Sequence, residues 1–111
     1  MNSSDLKYRF HEAMLNVYEC AKCECDYKAT YLLRSVTDNG GLETAKSLLS
    51  KENVSDGFTD LWECGCLHIS VECLVLMPEF RNLFESDELD TARNRLKEAD
   101  FDVAKCEQKH S

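Results

Sequence analysis

The chain has 111 residues, 43% of them hydrophobic, with four Gly, one Pro and seven Cys, and 21 acidic against 13 basic side chains leave a net charge of −8. This size and composition suit one globular domain with a modest core and exclude a disordered or low-complexity chain. The negative charge disfavours non-specific binding to nucleic acid, and the scarcity of Gly and Pro argues against a turn-rich β-sandwich.

The N-terminal stretch carries Asp5, Lys7, Arg9 and Glu12, so it lacks the apolar core of a signal peptide or a membrane span. The longest apolar run, Cys73 to Met77, is too short to cross a bilayer. A cytoplasmic protein is the expectation. From residue 5 to 25, Leu6, Phe10, Met14, Val17, Tyr18, Ala21 and Cys25 recur at the period of an amphipathic helix, with Ser3 or Ser4 as cap. Asp26 is expected to open a second helix through about Val36 that buries Tyr31, Leu32 and Val36. Asn39-Gly40-Gly41 ends it, because these residues accept the left-handed conformation.

Leu42 to Leu49 places Leu42, Ala45, Leu48 and Leu49 on one side of a short helix, and residues 50–56 form a polar loop. Ser55 or Asp56 caps a helix carrying Phe58, Leu61 and Trp62, which Gly65 stops; Ser70 caps another from Val71 to Met77. Pro78 forces a break, and one further turn follows in EFRNLF. Ser86-Asp87-Glu88 starts the last clear helix, with acids at its start and Arg93, Arg95 and Lys97 toward its end, as the helix dipole favours. No segment alternates at period two. The expected fold is all-α, a compact single-domain bundle of five to six short helices over residues 1–103, with a frayed tail over 104–111.

The order YLLRSVTDNGGLETAKSLL, SDGFTDLWECGCLHISVE, LVLMPEFRNLF and ELDTARNRL resembles a family of small uncharacterised bacterial proteins and domains with a similar "GG…AK.LL…GF..LWE.G.L..TVE..VL.PEF..LF" pattern. The resemblance covers about residues 18 to 98 and implies an all-helical fold and bacterial or phage ancestry, without an activity. Cys64 and Cys66 stand where such relatives more often have charged side chains, which counts against a metal site common to the family.

Chemistry-bearing residues are sparse. Cys20, Cys23 and Cys25 form C-x2-C-x-C, and Cys64 and Cys66 form C-x-C with His68 beyond. Zinc requires four converging ligands, for which Cys20, Cys23, Cys64 and Cys66 are the candidates, with Cys25 or His68 as substitutes. Against this, free Cys is usually a small buried hydrophobe. Disulfides are not expected, given an odd count and no export signal. His68 and His11 lack an identifiable catalytic partner, and no P-loop, HExxH, EF-hand or dinucleotide fingerprint is present. Trp62 is placed in the core, where its loss to alanine costs about 3–5 kcal/mol.

No Lys or Arg lies between Lys51 and Arg81, whereas Glu52, Asp56, Asp60, Glu63, Glu72 and Glu79 do. Without a catalytic set, the expected function is that of a non-enzymatic protein-interaction module of bacterial or phage origin. It would bind a basic partner protein through these six acids, without cofactor, membrane or direct nucleic-acid binding, one form being an inhibitor of a nucleic-acid-binding defence protein. The alternative is a small zinc-binding or thiol-dependent regulatory protein.

Overall fold

The N-terminal stripe of apolar residues forms the longest element, α1 (Ser3–Cys25), in a computed structural model that describes residues 3–107. Phe10, Met14, Val17 and Ala21 are buried along one face of α1. Phe10 meets the edges of Phe80 and Phe84, ring centroids 5.2 and 5.4 Å away, which ties the first helix to the second half of the chain. The Ser3 or Ser4 cap falls on side chains outside the described set. Asp26 does not open the next helix. Its φ of 52° is left-handed, which a short acidic side chain tolerates, and the Tyr27 N–H turns back to the Ala21 carbonyl at 3.2 Å. The residue therefore ends α1, and α2 (Thr30–Asn39) starts four positions later.

Gly40, at φ 91°, joins α2 to α3 (Gly41–Ser50), its N–H closing on the Val36 carbonyl. A Cβ at Gly41 would stand 2.7 Å from the His11 Cα, so only glycine lets α3 begin against α1. The Gly41 N–H donates to His11 Nδ1 at 3.0 Å, which satisfies one of the free amides of a helix start and gives His11 a structural role. Ser55 Oγ accepts from Phe58 N–H at 3.1 Å to begin α4 (Asp56–Cys64), and Gly65 at φ 77° ends it.

A single 3-10 turn, Leu67–Ile69, leads to α5 (Val71–Leu76), whose Cys73 N–H is capped by Ser70 Oγ at 3.2 Å. After Pro78 comes a second 3-10 turn, Arg81–Leu83, then α6 (Ser86–Glu98), where the Glu85 N–H donates to Glu88 Oε1 at 2.8 Å. Lys46 bridges α3 to α6 through Glu88 at 2.9 Å. There burial alone would raise the Glu88 carboxyl, but the Lys46 ammonium and the Glu85 N–H together hold it below its ordinary value.

The expected loose tail is corrected over residues 104–107. These form α7 (Ala104–Glu107), whose Cys106 is buried and disulfide-bonded to Cys73. The remainder of the tail, 108–111, lies outside the described residues. The fold is all-α: seven α-helices and no strand among the described residues, and no helix long and apolar enough to cross a membrane.

Candidate functional site

Two features carry chemistry: an acidic-rimmed cleft and a cluster of sulfurs at the far end of α4. The cleft, of about 540 Å3, opens where α2, α3 and α4 meet the loop over 51–55. Tyr27, Leu32, Leu48, Val54 and Phe58 supply apolar wall, Ser35 and Thr44 a polar strip, and Glu52 and Asp56 acid. Ser35 Oγ and Thr44 Oγ1 lie 3.0 Å apart and satisfy each other across the α2–α3 seam. Burial pushes the Tyr27 phenol above its ordinary value, and the carboxylates of Asp60 and Asp56 push it further, which locates a negative field on that wall. Tyr31, expected in the core, is 70% exposed beside the cleft, and its ring lies 5.7 Å from the Lys51 ammonium.

An internal ion pair holds the cleft's shape. Glu72, on α5, lines the cleft yet is 3% exposed, and its Oε2 accepts from Arg95 Nη1 at 3.1 Å. Arg95 also donates to the Leu48 carbonyl at 3.1 Å and the Lys51 carbonyl at 2.5 Å. One guanidinium thus satisfies the free carbonyls at the end of α3, neutralises that end of the helix dipole and anchors the start of the 51–55 loop. Burial pushes the Glu72 carboxyl above its ordinary value, opposed by its own backbone N–H and by Arg95.

The six expected partner-binding acids therefore divide. Glu52, Asp56, Asp60 and Glu63 lie on the loop and α4, with Asp60 half-buried and the others exposed. Glu72 is corrected: a carboxylate this buried, already committed to Arg95, cannot meet a partner at the surface. Glu79 is exposed but paired with Arg9 of α1, away from the cleft lining.

Trp62 is corrected too. It is 53% exposed, because the nine-residue α4 buries only Phe58 and Leu61 and the indole falls beside that narrow stripe. Trp62→Ala should then change unfolding free energy by less than about 1 kcal/mol, as for other surface positions, in urea titration of the variant. A loss of the size first expected would return the indole to the core.

The expected absence of disulfides is overturned. The ends of α1 and α4 meet so that Cys25 and Cys64 are bonded, Cα atoms 6.0 Å apart, and α5 meets α7 so that Cys73 and Cys106 are bonded at 5.1 Å. Sequence spacing carried no sign of these contacts.

The ligand set is also rearranged. Cys64 and Cys66 converge, Sγ atoms 3.8 Å apart, and the third sulfur is Cys25 rather than Cys20 or Cys23. All three sulfurs lie within 4.8 Å of one another. Two residues apart on a helix they would point apart, but Gly65 reverses the chain between Cys64 and Cys66. Cys20 and Cys23 remain on α1 outside this cluster. Burial pushes the Cys20 thiol above its ordinary value, with Glu24, Cys23 and Glu19 adding.

Comparison with family models, curated proteins and solved structures returns no match to this chain.

Proposed function

We propose that the chain is a non-enzymatic protein-interaction module whose cleft receives a basic, amphipathic segment of a partner protein. The observation that carries this reading is an apolar cleft with acid on its rim: Glu52 and Asp56 line it and Asp60 stands beside Tyr27. Apolar side chains of the partner fill the space among Leu32, Leu48, Val54 and Phe58, while its Lys or Arg side chains meet the carboxylates. Rim charges of this kind set partner choice and association rate more than raw affinity, so binding weakens as salt screens them. Lys51 is the single cation among the described residues that line the cleft, and it stands over the Tyr31 ring. A module that covers the basic surface of a nucleic-acid-binding defence protein, in a bacterium or a phage, is one form of this function.

A designed helical peptide with a leucine face and a lysine face is the probe, with its glutamate-faced counterpart as control. The lysine peptide should bind and shift the resonances of Tyr27, Leu48 and Phe58. Binding should fall at least about tenfold with Glu52→Lys plus Asp56→Lys and fall again at about 0.5 M salt. Equal binding of both peptides, or indifference to salt, would exclude the acidic rim as the recognition element.

A further inference from the structure

The sulfurs at the junction of α1 and α4 form a constellation that the interaction reading leaves unused. We propose that Cys25, Cys64 and Cys66, in their reduced form, hold a thiophilic d10 cation of the zinc type, with His68 as the fourth ligand. Three observations converge on the sulfur ligands. The three sulfurs lie within 4.8 Å of one another, and Cys64 and Cys66 are 3.8 Å apart. Tetrahedral thiolates at about 2.3 Å from zinc sit roughly 3.8 Å from each other, so this pair already has the edge length of the polyhedron.

The Cys64-Gly65-Cys66 turn is held by backbone rather than by the sulfurs: Gly65 N–H donates to the Trp62 carbonyl at 3.1 Å and Cys66 N–H to the Leu61 carbonyl at 2.8 Å. A ligand pair on so fixed a turn is preorganised. His68 follows on the next turn, and its Nε2 lies 3.8 Å from the carboxylate of Glu24, the neighbour of Cys25. His68 stands outside the 4.8 Å sulfur group and, half-exposed at 3.8 Å from Glu24, makes no hydrogen bond there, so its ring is free to turn and close on the ion.

The Cys25–Cys64 bond and the ion are alternative occupants of the same sulfur atoms. A dithiol reductant breaks the bond: its own two thiols close into a disulfide, and their two electrons and two protons leave Cys25 and Cys64 as thiols. Zn2+ then forms three Zn–S bonds and releases three thiol protons to solvent, while neutral His68 adds without proton change. The junction of α1 and α4 is thereby covalently closed under oxidising conditions and ion-closed under reducing ones.

The test uses the full, folded chain with the accessible Cys25–Cys64 bond reduced by dithiothreitol without denaturant and the buried Cys73–Cys106 bond kept closed, under inert gas, desalted, and loaded with Zn2+. Elemental analysis should give one zinc per chain for the reduced protein and none for the oxidised one. Alkylation followed by mass spectrometry should show Cys25, Cys64 and Cys66 protected by zinc and Cys20 and Cys23 labelled, a readout that needs no variant. Cys66→Ser should weaken zinc binding at least about a hundredfold while leaving the Cys25–Cys64 bond able to form, and His68→Ala about tenfold. Cys20→Ser with Cys23→Ser should bind as the wild type does. Failure of the reduced protein to retain zinc, or protection centred on Cys20 and Cys23, overturns the proposal.

Discussion

Arg95→Ala should destabilise the protein by about 3–5 kcal/mol at neutral pH, the cost of leaving one partner of a buried ion pair uncompensated. The substitution strands the Glu72 carboxylate, which is 3% exposed, and removes the donor that serves the carbonyls of Leu48 and Lys51. In the wild type the Glu72 carboxyl already sits above its ordinary value because of burial, and losing the guanidinium raises it further. A carboxyl with a raised folded-state pKa binds its proton more readily when folded. Its contribution to stability is full below the unfolded value and is lost as pH rises through the folded one.

The penalty in Arg95→Ala should therefore shrink on acidification from neutral pH, as Glu72 takes up a proton. The part due to the orphaned carbonyls should persist. Glu72→Leu with Arg95→Met should recover only part of the loss, because no donor then reaches Leu48 and Lys51. Urea titrations across pH would check all three. A pH-independent loss in Arg95→Ala would remove Glu72 from the account, and full recovery in the double variant would remove the carbonyls. Since those carbonyls mark the end of α3 and the start of the 51–55 loop, the same variant should slacken the cleft and weaken lysine-peptide binding.

The pair also shows where sequence reading stops. Local signals carried the helices: the i, i+4 stripe of α1, the Ser55 and Ser70 caps, and Gly40 and Gly65 as stops all stand as the chain's own chemistry dictates. Asp26 failed because an acid before a helix and an acid in the left-handed turn that ends the previous one look identical without coordinates. Glu72 stands in a run of acids without bases, which reads as surface, whereas its partner Arg95 is 23 residues away on another helix. Trp62 followed the general preference of large aromatics for the interior, which a nine-residue helix with two buried positions cannot satisfy. Of the sulfur cluster, the Cys64-Gly65-Cys66 turn was legible. Its neighbour from α1 was not: Cys20, Cys23 and the substitute Cys25 differ in sequence only in how close each stands to the end of that helix, and Cys25 is the one beside the turn.

Separating Cys73 from Cys106 is the second large loss expected. The bond closes a loop of 33 residues, and the chain-entropy relation gives it about 4 kcal/mol of stabilisation. Little else holds α7. Four residues are too few for a helix that persists unaided, and the pairs that Glu107 makes with Arg93 at 3.5 Å and Arg81 at 3.9 Å are partly exposed and individually weak. Val103 and Cys106 are buried, so release of the bond uncovers apolar surface around α5 as well as freeing the chain end. In a Cys25→Ala/Cys64→Ala background, which isolates this bond, adding Cys73→Ala and Cys106→Ala should lower the urea-derived stability by about that amount. Dithiothreitol should lower the stability of the background alone to the same extent. Hydrogen exchange should then show the amides of α7 opening while those of α1 stay protected. A four-alanine variant as stable as its background would mean that burial of Val103 and the ion pairs of Glu107 secure α7 without the bond.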